Sequence, residues 1–289
     1  MAENGGRESL VDAAQVERAS ERIRGHVRVT PVLEVLEVWN DATRPVLLKL
    51  ELLQVTGTFK ARGAYNRLLG ARPPDSGVIA ASGGNHGIAV AYAGRRLGLP
   101  VEIFVPRTSS PVKVARLRAL GATVHQIGDA YADALAAMRE RQAASGALEV
   151  HAYDHPEVVA GQGTMTRELI AQAPQVDTVV IAVGGGGLIA GALACAGGRK
   201  RIVAVEPVTS CALNAALRAG APLDVSVSGV AADSLGARRI GDICFELAKR
   251  HDLESVLVDD QQILAAQRWL WSNCRLVAEP GGATALAAL

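Results

Sequence analysis

From Val78 onward, short apolar runs alternate with longer stretches in which apolar residues recur every three or four positions. The runs at residues 78–81, 101–105, 123–126 and 148–151 have strand length. Residues 87–97, 112–120 and 130–145 carry helical spacing, and each stops at a glycine: Gly98, Gly121 and Gly146. Strands separated by helices of about ten residues or more pair as parallel crossover units rather than hairpins. The stretch ARPPDSG, residues 71–77, reads as the linker into this region.

A second alternation follows. It predicts a helix over 157–173, a strand over 178–183, a helix from 188 and a strand over 202–206. A helix over 241–251, a strand over 255–258 and a helix from 260 complete it. Near the start, Ser9 with Asp12 resembles a helix cap, and Val16, Ala19 and Ile23 mark one helical face beyond it. Residues 46–50 read as a strand, and TALAAL at 284–289 carries a helical pattern. The fold expected is α/β, with two open lobes of mostly parallel twisted sheet and a ligand cleft between them. Residues 1–72 with 153–289 form the larger, discontinuous lobe in this reading, and 73–152 the smaller.

Composition narrows the function. A chain of 289 residues is near the upper size for a single core, which favours two lobes. The net charge is +1, so there is no basic excess to hold nucleic acid or an anionic membrane. Aromatics are only 3%, which removes most base-stacking surface. No apolar run approaches the ~20 residues of a membrane span, and the first ten residues lack a signal-peptide core. Cys195, Cys211, Cys244 and Cys274 show no CxxC spacing and read as reduced thiols of a cytoplasmic protein.

Three segments could carry chemistry. LKLELLQVTGTFKARGA (residues 48–64) places Lys60 beyond a turn, beside Phe59. A lone lysine is usually solvated. One desolvated beside an aromatic ring keeps a neutral, nucleophilic amine. VVIAVGGGGLIAG (residues 179–191) sets four glycines between a strand and a helix. Such a turn exposes backbone N–H groups to an anion without Cβ interference, although glycines alone also make turns that bind nothing. The GGGG run departs from the GxGxxG spacing of dinucleotide folds. SGGNHG (residues 82–87) offers a second anion cradle, and Asn85 adds a neutral amide; a plain helix-cap loop is the simpler reading of that segment alone. A reactive amine together with an anion cradle points to a phosphate-bearing aldehyde cofactor, and pyridoxal 5'-phosphate has both handles.

Together the motifs resemble the fold-type II pyridoxal phosphate enzymes of tryptophan synthase β-like architecture, in the serine/threonine dehydratase and serine racemase branch. The resemblance runs from TPVLE (30–34) to EPGGATALAAL (279–289) and includes ASGGNHGIAVAYAGRRLGLP, PVKVARLRALGA, AGQGTMTREL and AVEP. It implies that Lys60 holds the cofactor aldehyde covalently and, once released, removes the substrate Cα proton. It places Phe59 against the cofactor ring and Asn85 at the ring hydroxyl. Gly184, Gly185, Gly186, Gly187 and Leu188 would hold the phosphate. Ser82, Gly83, Gly84, Asn85 and His86 would receive the substrate carboxylate. Gly236 and Glu279 would lie near the cofactor. The implied activity is L-threonine/L-serine dehydration and deamination to 2-oxobutyrate or pyruvate plus ammonia, in a homodimer acting on a β-hydroxy amino acid.

Departures from the pattern keep alternatives open. Gly83 stands where the racemase branch has a serine, which favours elimination over racemisation. A serine racemase and a 3-hydroxyaspartate dehydratase remain the nearest alternatives, and a catalytically inactive ligand-binding homologue the non-enzymatic one. No C-terminal strand with the family's serine or cysteine for the pyridine nitrogen occurs before Leu289. No added regulatory module follows, so the resemblance implies a short dehydratase without isoleucine control. Glu206 matches the first ligand of a cation site found in some relatives, with Ser210 as a carbonyl donor, but Ala212 replaces its last carboxylate. His151 and His155 are spaced i, i+4, but Asp154-His155-Pro156 reads as a loop. No metal is assigned. Trp269 and Trp271 read as packing or oligomer contacts.

Overall fold

Asp12 caps the first helix, α1 (Ala13–Arg22). Its carboxylate accepts the Gln15 N–H at 2.8 Å, and the Gln15 side chain accepts the Asp12 N–H at 2.9 Å. The structure is a computed structural model that describes residues 10–35, 39 and 45–289. Ser9, read above as part of this cap, lies outside the described residues. The face predicted from Val16, Ala19 and Ile23 is buried.

Strand β1 (Val32–Val35) pairs antiparallel with β2 (Val46–Lys49). Helix α2 (Lys60–Ala71) follows a 3-10 turn at Glu51–Leu53. A four-stranded parallel sheet comes next, built from β3 (Val78–Ala81), β4 (Val101–Val105), β5 (Thr123–Gln126) and β6 (Leu148–Glu149) in the order β5-β4-β3-β6. Its crossovers are α3 (Asn85–Leu97), α4 (Pro111–Ala119) and α5 (Tyr131–Ser145). All four β3 residues are buried, as expected for a central strand covered on both faces.

Helix α6 (Pro156–Gln172) leads to a three-stranded parallel sheet, β7 (Thr178–Ala182), β8 (Arg201–Pro207) and β9 (Glu254–Val258), in sequential order. Around it lie α7 (Gly187–Ala196), α8 (Ala212–Ala219), α9 (Ala232–Leu235), α10 (Asp242–Arg250), α11 (Asp260–Cys274) and α12 (Pro280–Ala287). Helix α7 is apolar on every side, and nine of its ten residues are buried. The largest apolar cluster joins α1, α6, α7, β7, β8 and α10; a second joins α2, α3, β3 and β4. No helix of the described residues is long and apolar enough to cross a membrane.

The parallel alternation matches the sequence pattern. Helix α2 was not legible there, because its inward face carries Arg62, Gly63 and Asn66 among the apolar residues and so hides the helical period. Helices α8 and α9 were likewise not anticipated. Helix α3 begins at Asn85, two residues earlier than the pattern placed it, and the β6 ladder covers two residues of the four expected. Val150 still donates to the Ile79 carbonyl beyond the end of β6, at 3.0 Å.

A buried ion network holds the start of α2. The Arg62 side chain is fully buried and makes paired contacts to two carboxylates. Nε and Nη2 donate to Glu51 at 2.8 and 2.7 Å, and Nη1 and Nη2 donate to Glu168 at 2.7 and 2.8 Å. Lys49 adds a 2.9 Å contact to Glu168. Removing the guanidinium would strand two nearly buried carboxylates, which costs ~3–5 kcal/mol. Arg62→Ala is expected to lower the unfolding free energy by about that amount, read from urea denaturation.

Candidate active site

Lys60 is the first residue of α2. Its side chain is half-buried, and its amine donates to the Ala152 carbonyl at 2.8 Å. The Phe59 ring centroid lies 5.2 Å from Nζ. Burial pushes the amine down to about 8, and the more distant Glu279 carboxylate opposes that shift. The positive end of a helix dipole also disfavours an ammonium at this position. Near neutral pH Lys60 therefore keeps a larger neutral, nucleophilic fraction than an ordinary lysine does.

The carbonyl that receives Lys60 belongs to a segment to which the sequence reading gave no role, residues 151–154. It links β6 to α6 and folds on itself: His151 Nδ1 accepts the N–H groups of Tyr153 and Asp154 at 3.3 and 2.8 Å. Asp154 then caps α10 by accepting from Asp242 and Ile243, both at 3.0 Å. Its sequence signal is the polar cluster HAYDH between a strand and a proline-started helix. His155, read as a loop residue, is the N-cap of α6.

Tyr153 is packed against the glycine run. A Cβ on Gly185 would fall 2.2 Å from the Tyr153 ring, so no larger residue fits. Gly186 has φ +93, and a Cβ there would meet Cys244 Sγ at 2.5 Å. Gly187 opens α7. Among the described residues, the backbone N–H groups of Gly184, Gly185, Gly186, Gly187 and Leu188 have no protein acceptor. Unused donors in a turn at a helix N-terminus suit an anion such as a phosphate.

The second predicted cradle is the turn from β3 into α3. Ser82 Oγ accepts the Gly84 N–H at 3.3 Å, and Gly83 and Gly84 are half-buried. The backbone oxygen of Asp233 lies 3.9 Å from where a Gly84 Cβ would sit. His86 does not cap this helix. Its ring is buried with Nε2 donating to the Val150 carbonyl at 2.7 Å, and burial followed by the Lys60 charge lowers it to about 3. The imidazole stays neutral and turned into the protein, so only its backbone N–H is placed like the rest of the loop.

Asn85 and Glu279 meet across the chain. The Asn85 amide donates to Glu279 Oε1 at 2.7 Å. Glu279 sits at the N-cap position of α12, and desolvation raises its carboxyl although Asn85 works the other way. A carboxamide has two N–H donors, so one remains for a ligand. Gly236 ends α9, where a Cβ would lie 2.0 Å from the Ala232 oxygen. Ser210 Oγ fixes this turn by donating to Leu235 O at 2.9 Å.

The residues around Glu206 do not fit a divalent cation. Glu206 is fully buried, and its two oxygens accept the Leu213 and Asn214 N–H groups, both at 2.8 Å, in the first turn of α8. Burial raises its carboxyl to about 7. Ala212 brings no ligand, and among the described residues no group of three or more His, Cys, Asp or Glu side chains is arranged to hold a metal.

A half-buried lysine of lowered pKa and a glycine turn with unused N–H groups, set on an open α/β frame, fit the two ends of a phosphate-bearing aldehyde. The chain matches the family described as pyridoxal-phosphate dependent enzyme over residues 23–289 and belongs to it. It is 36% identical over 275 residues to the biosynthetic L-threonine dehydratase of Pasteurella multocida, covering 93% of this chain and 54% of that protein. The fold is similar to that of maize serine racemase, with a TM-score of 0.91 and 30% identity over 97% of this chain and 86% of that one. It is also similar to the threonine deaminase of T.th., with a TM-score of 0.90 and 33% identity over 96% and 92% of the two chains. The chain spans about half the length of the curated relatives it matches first, 54%, 62% and 53% for three of them.

Two outcomes are expected. Gly186→Ala should keep the far-UV circular dichroism of the fold and lose retention of pyridoxal phosphate on gel filtration. Loading of apoprotein with pyridoxal phosphate should speed up as pH rises through about 8 and then level off, as the Lys60 amine becomes fully neutral. An ordinary lysine would keep gaining up to about 10.4.

Proposed function

We propose that this chain is a pyridoxal phosphate-dependent L-threonine/L-serine dehydratase, a lyase that releases 2-oxobutyrate or pyruvate and ammonia. The observation that carries the reading is the Lys60 amine, desolvated and lowered to about 8, joined through Ala152 and Tyr153 to a turn of unused glycine N–H groups. The cofactor, when bound, supplies the conjugated ring that accepts the electron pair left at Cα. Lys60 holds the cofactor aldehyde, and its freed amine takes the Cα proton. The N–H groups of Gly184 to Leu188 hold the phosphate. Phe59 lies beside the amine and lines the ring. The second Asn85 donor reaches the ring hydroxyl, while Glu279 orients that amide and Gly236 closes the pocket. The Ser82–His86 turn receives the substrate carboxylate through backbone N–H groups.

Gly83 has no side chain and no proton to deliver to the second face of Cα. That supports elimination over racemisation, although the likeness to maize serine racemase keeps a racemase as the second reading. A 3-hydroxyaspartate substrate would use the same Lys60 chemistry. The two parallel sheets support a division into residues 73–152 and the remainder. The four reduced thiols support a cytoplasmic setting. Trp271 and Val277, 53% and 74% exposed, support a homodimer contact, whereas Trp269 packs edge-on against Trp39.

The test is 2-oxo acid release from threonine, serine and 3-hydroxyaspartate, with chiral analysis of residual serine. Threonine or serine turnover, lowered about 10³-fold in Lys60→Ala, is the expected result. Full turnover in that variant, D-serine as the main product, or protein that stays colourless with added cofactor would reject the reading.

A further inference from the structure

A cavity of about 180 Å³ lies on the flank of α2, between the segment joining α1 to β1 and helix α3. His26, Arg28, Val55, Tyr65, Tyr92 and Arg96 line it. None of the residues assigned above to the cofactor or substrate borders it.

Its charge is one-sided. The charged side chains on its wall are two guanidiniums, with an imidazole beside them and no carboxylate. Among the described residues, neither Arg28 nor Arg96 has an ion-pair partner. The whole chain carries a net charge of only +1, so this pairing is a local feature rather than a sample of a basic surface.

The wall is also ordered. The Arg28 N–H donates to Gln54 Oε1 at 2.8 Å, its carbonyl accepts from Gln54 Nε2 at 2.9 Å, and its Nη1 donates to Leu53 O at 2.8 Å. Gln54 itself is buried. Those bonds fix the arginine backbone and leave most of its five donors for a ligand. Below it, Tyr65 is only 1% exposed, with its ring 5.1 Å from His26 and 6.4 Å edge-on from Tyr92. Burial pushes the Tyr65 hydroxyl up to about 12, against the charge of Arg96 and the hydrogen bond its oxygen accepts from that guanidinium, so it stays neutral and keeps its own proton to donate.

We propose that this cavity is a binding site for a small oxyanion, a phosphate or carboxylate group held between the guanidiniums of Arg28 and Arg96 above the Tyr65 floor. Planar guanidinium forks match either group through paired hydrogen bonds. Such a ligand would offset the repulsion between two like charges facing one small space.

The test is calorimetric titration of holoenzyme whose Lys60–cofactor bond has been reduced with borohydride, so that the glycine cradle is already filled. Inorganic phosphate and malonate are titrated separately, at constant ionic strength set with chloride. Saturable binding of at least one anion is expected, weakened about tenfold by Arg28→Gln and by Arg96→Gln. Both side chains are exposed, so both variants should keep the circular dichroism of the parent. Binding of phosphate alone assigns the site to phosphate-bearing ligands, and binding of malonate alone to carboxylates. No saturable binding of either anion, or binding unchanged in both variants, overturns the proposal. The second result would place the anion at the Ser82–Gly84 turn or elsewhere. A protein that takes up no cofactor fails the functional reading instead; the same titration on apoprotein, scored by dependence on the two arginines, then tests the cavity by itself.

Discussion

The site depends on keeping an amine out of water. Lys60 is half-buried at the start of a helix, where desolvation and the helix dipole both disfavour its charged form. The Ala152 carbonyl accepts its hydrogen bond. A lysine in solution would be almost wholly protonated at neutral pH and would not attack an aldehyde. The surrounding architecture serves to impose this unfavourable position and to keep it from relaxing.

Two devices do so. The Arg62 network ties the first turn of α2 to the 3-10 turn at Glu51 and to Glu168 of α6. The His151–Asp154 segment forms the opposite wall, giving Lys60 its acceptor and at the same time setting Tyr153 against the glycine turn. One short connection thus faces both the amine and the anion cradle. Asn85 and Glu279 make a further joint, linking the turn after β3 to the cap of α12. The parts that would grip the two ends of one ligand are therefore held in a common frame.

Glu206 shows how a shared motif can take a different local solution. Among the described residues it is buried without an ionic partner, and the first turn of α8 supplies two N–H groups to its oxygens. Helix N-termini accommodate negative charge through such orphan donors. With Ala212 in place of a second acid, the carboxylate braces β8 against α8.

By itself the sequence determined the parallel alternation, because most of the strands are short apolar runs and the helical stretches at 87–97, 112–120 and 130–145 stop at Gly98, Gly121 and Gly146. It also determined the chemistry-bearing residue types: one lysine beside Phe59, a glycine quartet after a strand, and an asparagine in a second glycine turn. Those features are local and survive in a linear reading. Only the tertiary structure decided that Lys60 opens a helix rather than ending a turn, since the inward Arg62 and Asn66 hide that helix until their partners, some of them more than ninety residues away, are in place. Only it gave HAYDH a role, paired Asn85 with Glu279 over a separation of 194 residues and turned the His86 ring inward. Contacts between distant segments leave no period in the chain, because burial and hydrogen-bond partnership are properties of the folded neighbourhood.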